Sequence, residues 1–155
     1  SIALQLDPGY DILTLGAAAT FHDLGKYYTP IEILQKPGRL TPEEFSIIKL
    51  HPQASWQLLM ESHGEIIAEI ALQHHERMDG SGYPRGLHAD AIRMDARIIA
   101  VADVFDAITS KRSYNNPVSY EQALSIMEQE RQLYDSDVLH ALHILVREKR
   151  LSISI

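Results

Sequence analysis

The sequence contains no cysteine among its 155 residues. Disulfide bonds, thiolate catalysis and cysteine-ligated zinc or iron–sulfur sites are therefore excluded, and any metal site must use His, Asp or Glu side chains. A chain without cysteine is compatible with a reducing compartment, so we expect a cytoplasmic protein.

Positive charge and long apolar runs are also scarce. Lys and Arg number 14 against 21 Asp and Glu, which gives a net charge of −7. An acidic surface repels a phosphate backbone, so the composition disfavours DNA binding. No apolar run approaches the roughly 18 residues of a membrane span, and we expect no membrane contact from this segment. The length and the average hydrophobic content predict a single domain over residues 1–155.

Helix-start signals dominate the sequence. Asp7-Pro8, the capping-box pattern Thr41-Pro42-Glu43-Glu44 and the similar Ser119-Tyr120-Glu121-Gln122 each precede a stretch of helical periodicity. Pro52 should end or kink a helix at His51. We predict an all-α fold, a compact multi-helix bundle, with helices at 8–25, 30–35, 42–50, 52–62, 65–76, 94–111, 119–132 and 136–149.

Residues 77–93 are the one long stretch without a helical pattern. They contain three glycines and the pair Tyr83-Pro84. A loop of this length inside a compact domain is usually functional. We therefore predict that this loop is a lid or a docking segment. From the residues alone, Tyr83 has three open roles: a stacking partner for guanine, a contact for a partner protein, or an aromatic that packs the turn.

Three apolar stretches contain ionisable side chains, whose burial without a partner costs several kcal/mol. His22-Asp23 interrupts the first stretch, His74-His75 ends the second, and Asp103 interrupts the third. On the third helix, Asp103 falls on a different face from the predicted core stripe, which comprises Ile98, Val101, Ala102, Phe105 and Ile108.

A metal centre would satisfy these groups, because neutral imidazoles and carboxylates bind first-row transition metals without thiolates. The candidate ligands are His22, Asp23, His51, His74, His75 and Asp103. Adjacent residues on a helix point about 100° apart, so each adjacent pair fits two ions better than one. Asp23 is the best-placed carboxylate to bridge them. Two neighbouring metals suit the hydrolysis of phosphoesters. His140 and His143, one helical turn apart, are interpreted as structural.

Five motifs resemble, in order and approximate spacing, the HD-GYP branch of the HD phosphohydrolases. They are His22-Asp23-Leu24-Gly25-Lys26, His51-Pro52, His74-His75-Glu76, Asp79-Gly80-Ser81-Gly82-Tyr83-Pro84 and Ala102-Asp103-Val104-Phe105-Asp106-Ala107. The resemblance extends from about residue 12 to residue 147. Because the family's first ligand-bearing helix lies upstream of these motifs, the resemblance implies an N-terminally truncated domain.

The resemblance implies a metal-dependent phosphodiesterase that hydrolyses the bacterial second messenger cyclic di-GMP to pGpG and on to GMP. It implies two or three divalent metals, with iron or manganese favoured, held by the six candidate ligands. By position, Asp23 and Lys26 correspond to catalytic residues, with Lys26 near the scissile phosphate. Tyr83 and Arg112 correspond to substrate-contacting positions.

Two alternatives are also compatible with these motifs. The first is a regulatory module that keeps the fold but binds cyclic di-GMP, or a GGDEF-type diguanylate cyclase through the 77–93 loop. The second is an HD hydrolase for other nucleotides. The resemblance also implies a sensory or receiver domain before this one, as in a response regulator.

Overall fold

The computed structural model of the chain describes residues 1–110 and 118–150. Within these ranges the protein is all-α, as predicted, and contains no strand. Its helices are α1 (Ile2–Leu6), α2 (Ile12–Phe21), α3 (Ile31–Leu34), α4 (Pro42–Ile48), α5 (His51–His63), α6 (Glu65–Gln73), α7 (Met94–Thr109), α8 (Tyr120–Gln129) and α9 (Ser136–Arg147). Three 3₁₀ turns cover Leu24–Tyr28, Ala89–Ala91 and Arg131–Leu133.

Both predicted capping boxes are confirmed. The Thr41 hydroxyl accepts from the backbone N–H of Glu44, whose carboxylate accepts from the N–H of Thr41. Ser119 and Gln122 make the same reciprocal pair before α8. These bonds satisfy backbone donors that the first turn of a helix leaves free, which is why the sequence signal is reliable.

The start of the chain differs from the prediction of one helix over 8–25. Asp7 ends a separate short helix, α1, and Asp11 begins the next by accepting hydrogen bonds from two backbone amides of its first turn. The aspartate that has both amides within reach of its side chain therefore acts as the cap. Helix α2 then ends at Phe21, so His22 and Asp23 lie beyond its last turn.

His51 lies at a chain bend, as expected, but it begins a helix rather than ending one. Helix α4 ends at Ile48, and His51 and Pro52 form the first turn of α5. Proline is tolerated there because the first-turn amides have no partner within the helix. This start places the His51 imidazole at one end of α5.

The core lies around α6, which packs against α2, α5 and α7. The largest fully buried side chains include Leu59, Ile70, Leu72, Met127 and Leu142. Ala102 was expected in the core and is exposed, so that prediction is wrong: the buried stripe of α7 is rotated to include Ile99 instead. No helix in the described ranges is both long and apolar enough to cross a membrane.

Close packing fixes the segment that carries His22 and Asp23. Gly25 donates its N–H to the Ser55 hydroxyl at 2.8 Å, and that hydroxyl donates to the His22 carbonyl at 2.7 Å. A Cβ on Gly25 would collide with the His51 carbonyl oxygen and lie 2.5 Å from the Ser55 nitrogen. Glycine at this position is what allows the turn to approach α5.

Gly25→Ala should therefore destabilise the chain, since the obstructing atoms belong to the backbone and cannot rotate away. We expect the free energy of unfolding to fall by about 1–3 kcal/mol. The matched control is Gly16→Ala in α2, where no atom lies within 4 Å of the added Cβ. That change should raise stability by about 0.5–1 kcal/mol. Urea denaturation of both variants checks this, and equal effects would contradict the packing argument.

Candidate metal centre

The six candidate ligands come from three helix ends and the middle of a fourth helix. His22 and Asp23 follow α2, His51 begins α5, and His74 and His75 follow α6. Asp103 projects from the middle of α7. The structure brings all six side chains to one place. Each adjacent pair lies at the C-terminal end of a helix, and the first residue of each pair keeps helical backbone angles.

Three of the histidines are oriented in the same way. The Nδ1 atom of each lies at hydrogen-bond distance from the carbonyl oxygen of the residue three positions earlier. The pairs are His22 with Ala19 at 2.7 Å, His51 with Ile48 at 2.7 Å and His74 with Ala71 at 2.6 Å. A carbonyl can only accept, so Nδ1 carries the proton and Nε2 presents its lone pair. This is the arrangement of a metal-ligating histidine.

The Asp23 carboxylate lies between these lone pairs. Its Oδ1 is 3.1 Å from Nε2 of His51 and 3.7 Å from Nε2 of His74. Its Oδ2 is 3.4 Å from Nε2 of His22. The two carboxylate oxygens thus face different histidines, which is the geometry that a bridging ligand requires.

A cation fits this arrangement because the converging atoms are acceptors. Among the described residues, the buried atoms His22 Nε2 and Asp23 Oδ1 have no hydrogen-bond partner. The nearest contact of Oδ1, at 3.1 Å, is with a His51 nitrogen whose proton is already on Nδ1. One ligand atom from each of four residues, Asp23, His51, His74 and His75, lies within 4.8 Å of the others. A divalent ion would satisfy these acceptors together.

Asp103 extends the cluster on the side of His22. Its Oδ1 lies 4.0 Å from Nε2 of His22, and its side chain is 34% exposed. His22, Asp103 and the second oxygen of Asp23 therefore form a more open group beside the buried one. Lys26 forms an ion pair with the same Asp23 oxygen and reaches the surface at the edge of the site.

The charges of the cluster are strongly coupled. Burial by itself raises the pKa of the Asp23 carboxyl, but the Lys26 ammonium and the neighbouring histidines, when these are protonated, outweigh burial and hold that pKa below its usual range. Burial lowers the pKa of His22, but the Asp23 carboxylate outweighs it and the net shift is upward. For His74 and His75 burial dominates, and the pKa of each is lowered.

The two remaining predicted site residues have different outcomes. Tyr83 lies beside the cluster, with its ring stacked on the His75 ring at a centroid distance of 4.7 Å. Arg112 lies outside the described residues. The predicted loop at 77–93 is confirmed as a segment without α-helix, containing a bridge between Asp79 and His88 and a short 3₁₀ turn.

Sequence reasoning gave no role to two residues beside the site. Glu76 is 2% exposed, and its carboxylate accepts hydrogen bonds from the backbone N–H groups of Arg85 and Leu87. The position of Glu76 directly after two histidines in an apolar stretch is the sequence signal that could have predicted a buried carboxylate here. Lys49 places its ammonium 5.2 Å from the Tyr83 ring centroid. Nothing in its sequence surroundings marked that contact.

A family comparison agrees with this geometry. The sequence model of the HD domain family matches residues 2–138. The chain belongs to the HD domain family. Within the described ranges, the His/Asp cluster of this HD domain comprises Asp23, His51, His74 and His75, and His22 lies beside it.

Relatives of the HD domain support the resemblance inferred from the motifs. A cyclic di-GMP phosphodiesterase of Thermotoga maritima is 48% identical over 84% of this chain and 37% of its own length. The cyclic di-GMP phosphodiesterase response regulator RpfG of Xanthomonas campestris is 44% identical, over 85% and 36%. The 3′3′-cGAMP-specific phosphodiesterase 1 of Vibrio cholerae is 47% identical, over 70% and 26%. The chain therefore spans between about a quarter and little more than a third of the length of these relatives.

A solved structure confirms the fold. An HDG"Y"P protein from Bdellovibrio bacteriovorus superposes with a TM-score of 0.73 at 20% sequence identity, covering 94% of this chain and 49% of that one. At this identity the match speaks for the helical architecture alone.

Metal binding should depend on the charge of Asp23. Excess Mn²⁺ at about 100 times its Kd would stabilise the HD domain by about 2.7 kcal/mol, or roughly 5–10 °C in Tm for a chain of this size. Asp23→Asn should abolish most of this gain, because an amide lacks the charge and turns N–H donors toward cationic metal. The control is Asp137→Asn, an exposed carboxylate on α9. Thermal melts with and without Mn²⁺ check this; an undiminished gain in Asp23→Asn would refute it.

The lowered pKa values of His74 and His75 predict a pH dependence of stability in chelator. Below about 6.5, the ordinary histidine pKa, the unfolded chain binds protons that the folded chain does not, so the free energy of unfolding decreases as the pH is lowered. His22, with its raised pKa, contributes in the opposite direction and loses its stabilisation as pH rises.

His75→Gln should reduce that slope by up to about 1.4 kcal/mol per pH unit, the value for one proton. His140→Gln, at an exposed position of α9, is the matched control. Denaturant titrations between pH 5 and 7.5 measure both slopes. The same slope in His75→Gln as in the unsubstituted chain would contradict the assignment of His75 as a histidine kept neutral by burial.

Proposed function

We propose that this HD domain is a metal-dependent phosphodiesterase for cyclic dinucleotides, hydrolysing cyclic di-GMP to pGpG and on to GMP. The observation that carries the proposal is the convergence of imidazole lone pairs on both oxygens of Asp23. A cluster of this composition is suited to two neighbouring cations, and such pairs hold the attacking and leaving oxygens of a phosphoryl displacement.

The ligands divide into two groups that share Asp23. His51, His74 and His75 would hold one ion in the buried part of the cluster, whereas His22 and Asp103 would hold the other at its open side. When bound, the metals would supply charge stabilisation and a more acidic water. We propose two ions, or three with further ligands. The family resemblance favours iron or manganese, and a ligand set of imidazoles and carboxylates is compatible with both.

The chain's own residues would position and neutralise the phosphate. The Asp23 carboxylate is ionised well below neutral pH, so it is available as a bridging ligand throughout the physiological range. Lys26 is 37% exposed and points its ammonium at the same carboxylate, within reach of a phosphate oxygen placed at the open side. A cation there stabilises the negative charge that develops on the transferring phosphoryl group. Tyr83 and Arg112 remain predicted substrate contacts.

Cyclic 3′3′-GMP–AMP is a second candidate substrate. The Vibrio cholerae relatives named 3′3′-cGAMP-specific phosphodiesterases are 47%, 40% and 44% identical to this chain, close to the values for the cyclic di-GMP phosphodiesterases. The two compounds share the cyclic phosphodiester and differ in one base. The reaction is thus supported more strongly than the choice between the two bases.

A regulatory module that binds the dinucleotide without hydrolysing it is the competing function. The chain matches little more than a third of the length of two of these relatives. Their activity therefore belongs to proteins with long further segments, and a domain that only binds the dinucleotide is compatible with the comparisons. We also propose a single domain over 1–155, an upstream receiver or sensory domain, a cytoplasmic location, and docking of a diguanylate cyclase at the 77–93 loop.

Turnover measurements test the function. The chain, loaded anaerobically with iron or with manganese, should linearise both cyclic dinucleotides and leave deoxynucleotides and guanosine tetraphosphate intact. Lys26→Met should lower kcat by about 100-fold while Mn²⁺ affinity is retained. Lys36→Met is the control, since Lys36 pairs with Glu44 outside the cluster. Dinucleotide binding by the metal-loaded chain without any product would reject the enzyme and support the regulatory module.

A further inference from the structure

His75 is held differently from the other histidines of the cluster. His22, His51 and His74 each have Nδ1 fixed by a backbone carbonyl. In the described hydrogen-bond network, the His75 ring has no such bond. Its ring instead lies against Tyr83, with the two planes 29° apart and the centroids 4.7 Å apart.

The backbone fixes Tyr83 in this position. The N–H of Tyr83 donates to the carbonyl oxygen of His75 at 3.2 Å. The preceding residue, Gly82, lies so close to the end of α6 that a Cβ there would be 2.5 Å from that same carbonyl oxygen and from backbone atoms of Glu76 and Arg77. Only glycine permits this approach, so the loop returns directly onto the residue that it orients.

The far side of the loop is fastened as well. The buried carboxylate of Glu76 accepts from the N–H of Arg85 at 2.7 Å and from the N–H of Leu87 at 2.9 Å. The Arg85 guanidinium forms two hydrogen bonds with Glu69 on α6, at 3.0 and 3.2 Å. Tyr83 lies between these attachments, so the chain places its ring without help from a substrate. This favours a fixed support over a lid.

The ring of Tyr83, and not its hydroxyl, makes these contacts. Phe45 meets it edge-on at 6.3 Å, and the Lys49 ammonium lies 5.2 Å from its centroid. The described hydrogen bonds include none from the Tyr83 hydroxyl. Stacked aromatic rings are held by dispersion and quadrupole interactions that phenylalanine supplies equally well.

We infer that Tyr83 is a positioning residue for the metal centre: its ring orients the His75 imidazole in place of the backbone hydrogen bond that the other three histidines have. The inference rests on the proposed metal centre and adds to it a role for the 77–93 loop. It is separate from the substrate contact predicted for Tyr83, because it requires only the ring.

Metal affinity provides the first test. Tyr83→Ala should weaken Mn²⁺ binding by about 10-fold in calorimetry, the usual loss when a group that orients a ligand is removed. Tyr83→Phe should restore the affinity. The matched control is Tyr28→Ala, because Tyr28 is 64% exposed and its ring neighbour is Tyr27. Unchanged Mn²⁺ affinity in Tyr83→Ala, or equal losses in the alanine and phenylalanine variants, would overturn the inference.

The imidazole itself provides a second test that needs no metal. In chelator, the ring ¹³C–¹H signals of His75 should show lower order parameters, and so a more mobile ring, in Tyr83→Ala and stay unchanged in Tyr83→Phe. The signals of His51 and His74 serve as internal references, since backbone carbonyls hold them in every variant. An unchanged His75 signal in Tyr83→Ala overturns the inference. Neither readout involves turnover, so failure here is distinguishable from failure of the proposed phosphodiesterase activity.

Discussion

The accumulation of electron pairs around Asp23 is the constraint on which the site depends. The Asp23 carboxylate faces three imidazole nitrogens at distances of 3–4 Å. In each of these imidazoles the proton is on the other ring nitrogen, which donates it to a backbone carbonyl. Such an arrangement is unfavourable unless positive charge enters it. Lys26 supplies part of that charge from the outside, and protonation of His22 supplies more as the pH falls. A divalent cation would supply it from within.

The fold tolerates this arrangement because it places the ligands where helices end. His22 and Asp23 follow one helix, His74 and His75 follow another, and His51 opens a third. The last turn of a helix leaves carbonyl groups without partners, and the histidine Nδ1 atoms bond to carbonyls three residues earlier. The same bonds thus complete the helix ends and direct the Nε2 atoms inward. One set of hydrogen bonds therefore both satisfies carbonyl groups at the helix ends and orients the candidate ligands.

An acidic protein can bind an anionic substrate through such a local concentration of positive charge. The net charge of −7 describes the whole surface, whereas a bound phosphate would meet the metals and Lys26 at short range. The 77–93 loop contributes to the same region by placing Tyr83 on a candidate ligand. It is held in place by contacts within the chain itself, through Glu76 and Arg85.

The sequence by itself determined the helical class, both capping boxes and the identities of the candidate ligands, because periodicity, caps and ionisable residues in apolar stretches are local signals. It misplaced the start of α2 and put Ala102 in the core, since competing caps and the rotation of a helix are decided by what packs against them. Only the tertiary structure decided that the oxygens of Asp23 face different histidines and that Tyr83 supports His75. Those relations join residues far apart in the chain, and their distances are set by the packing of α5, α6 and the loop around one small space.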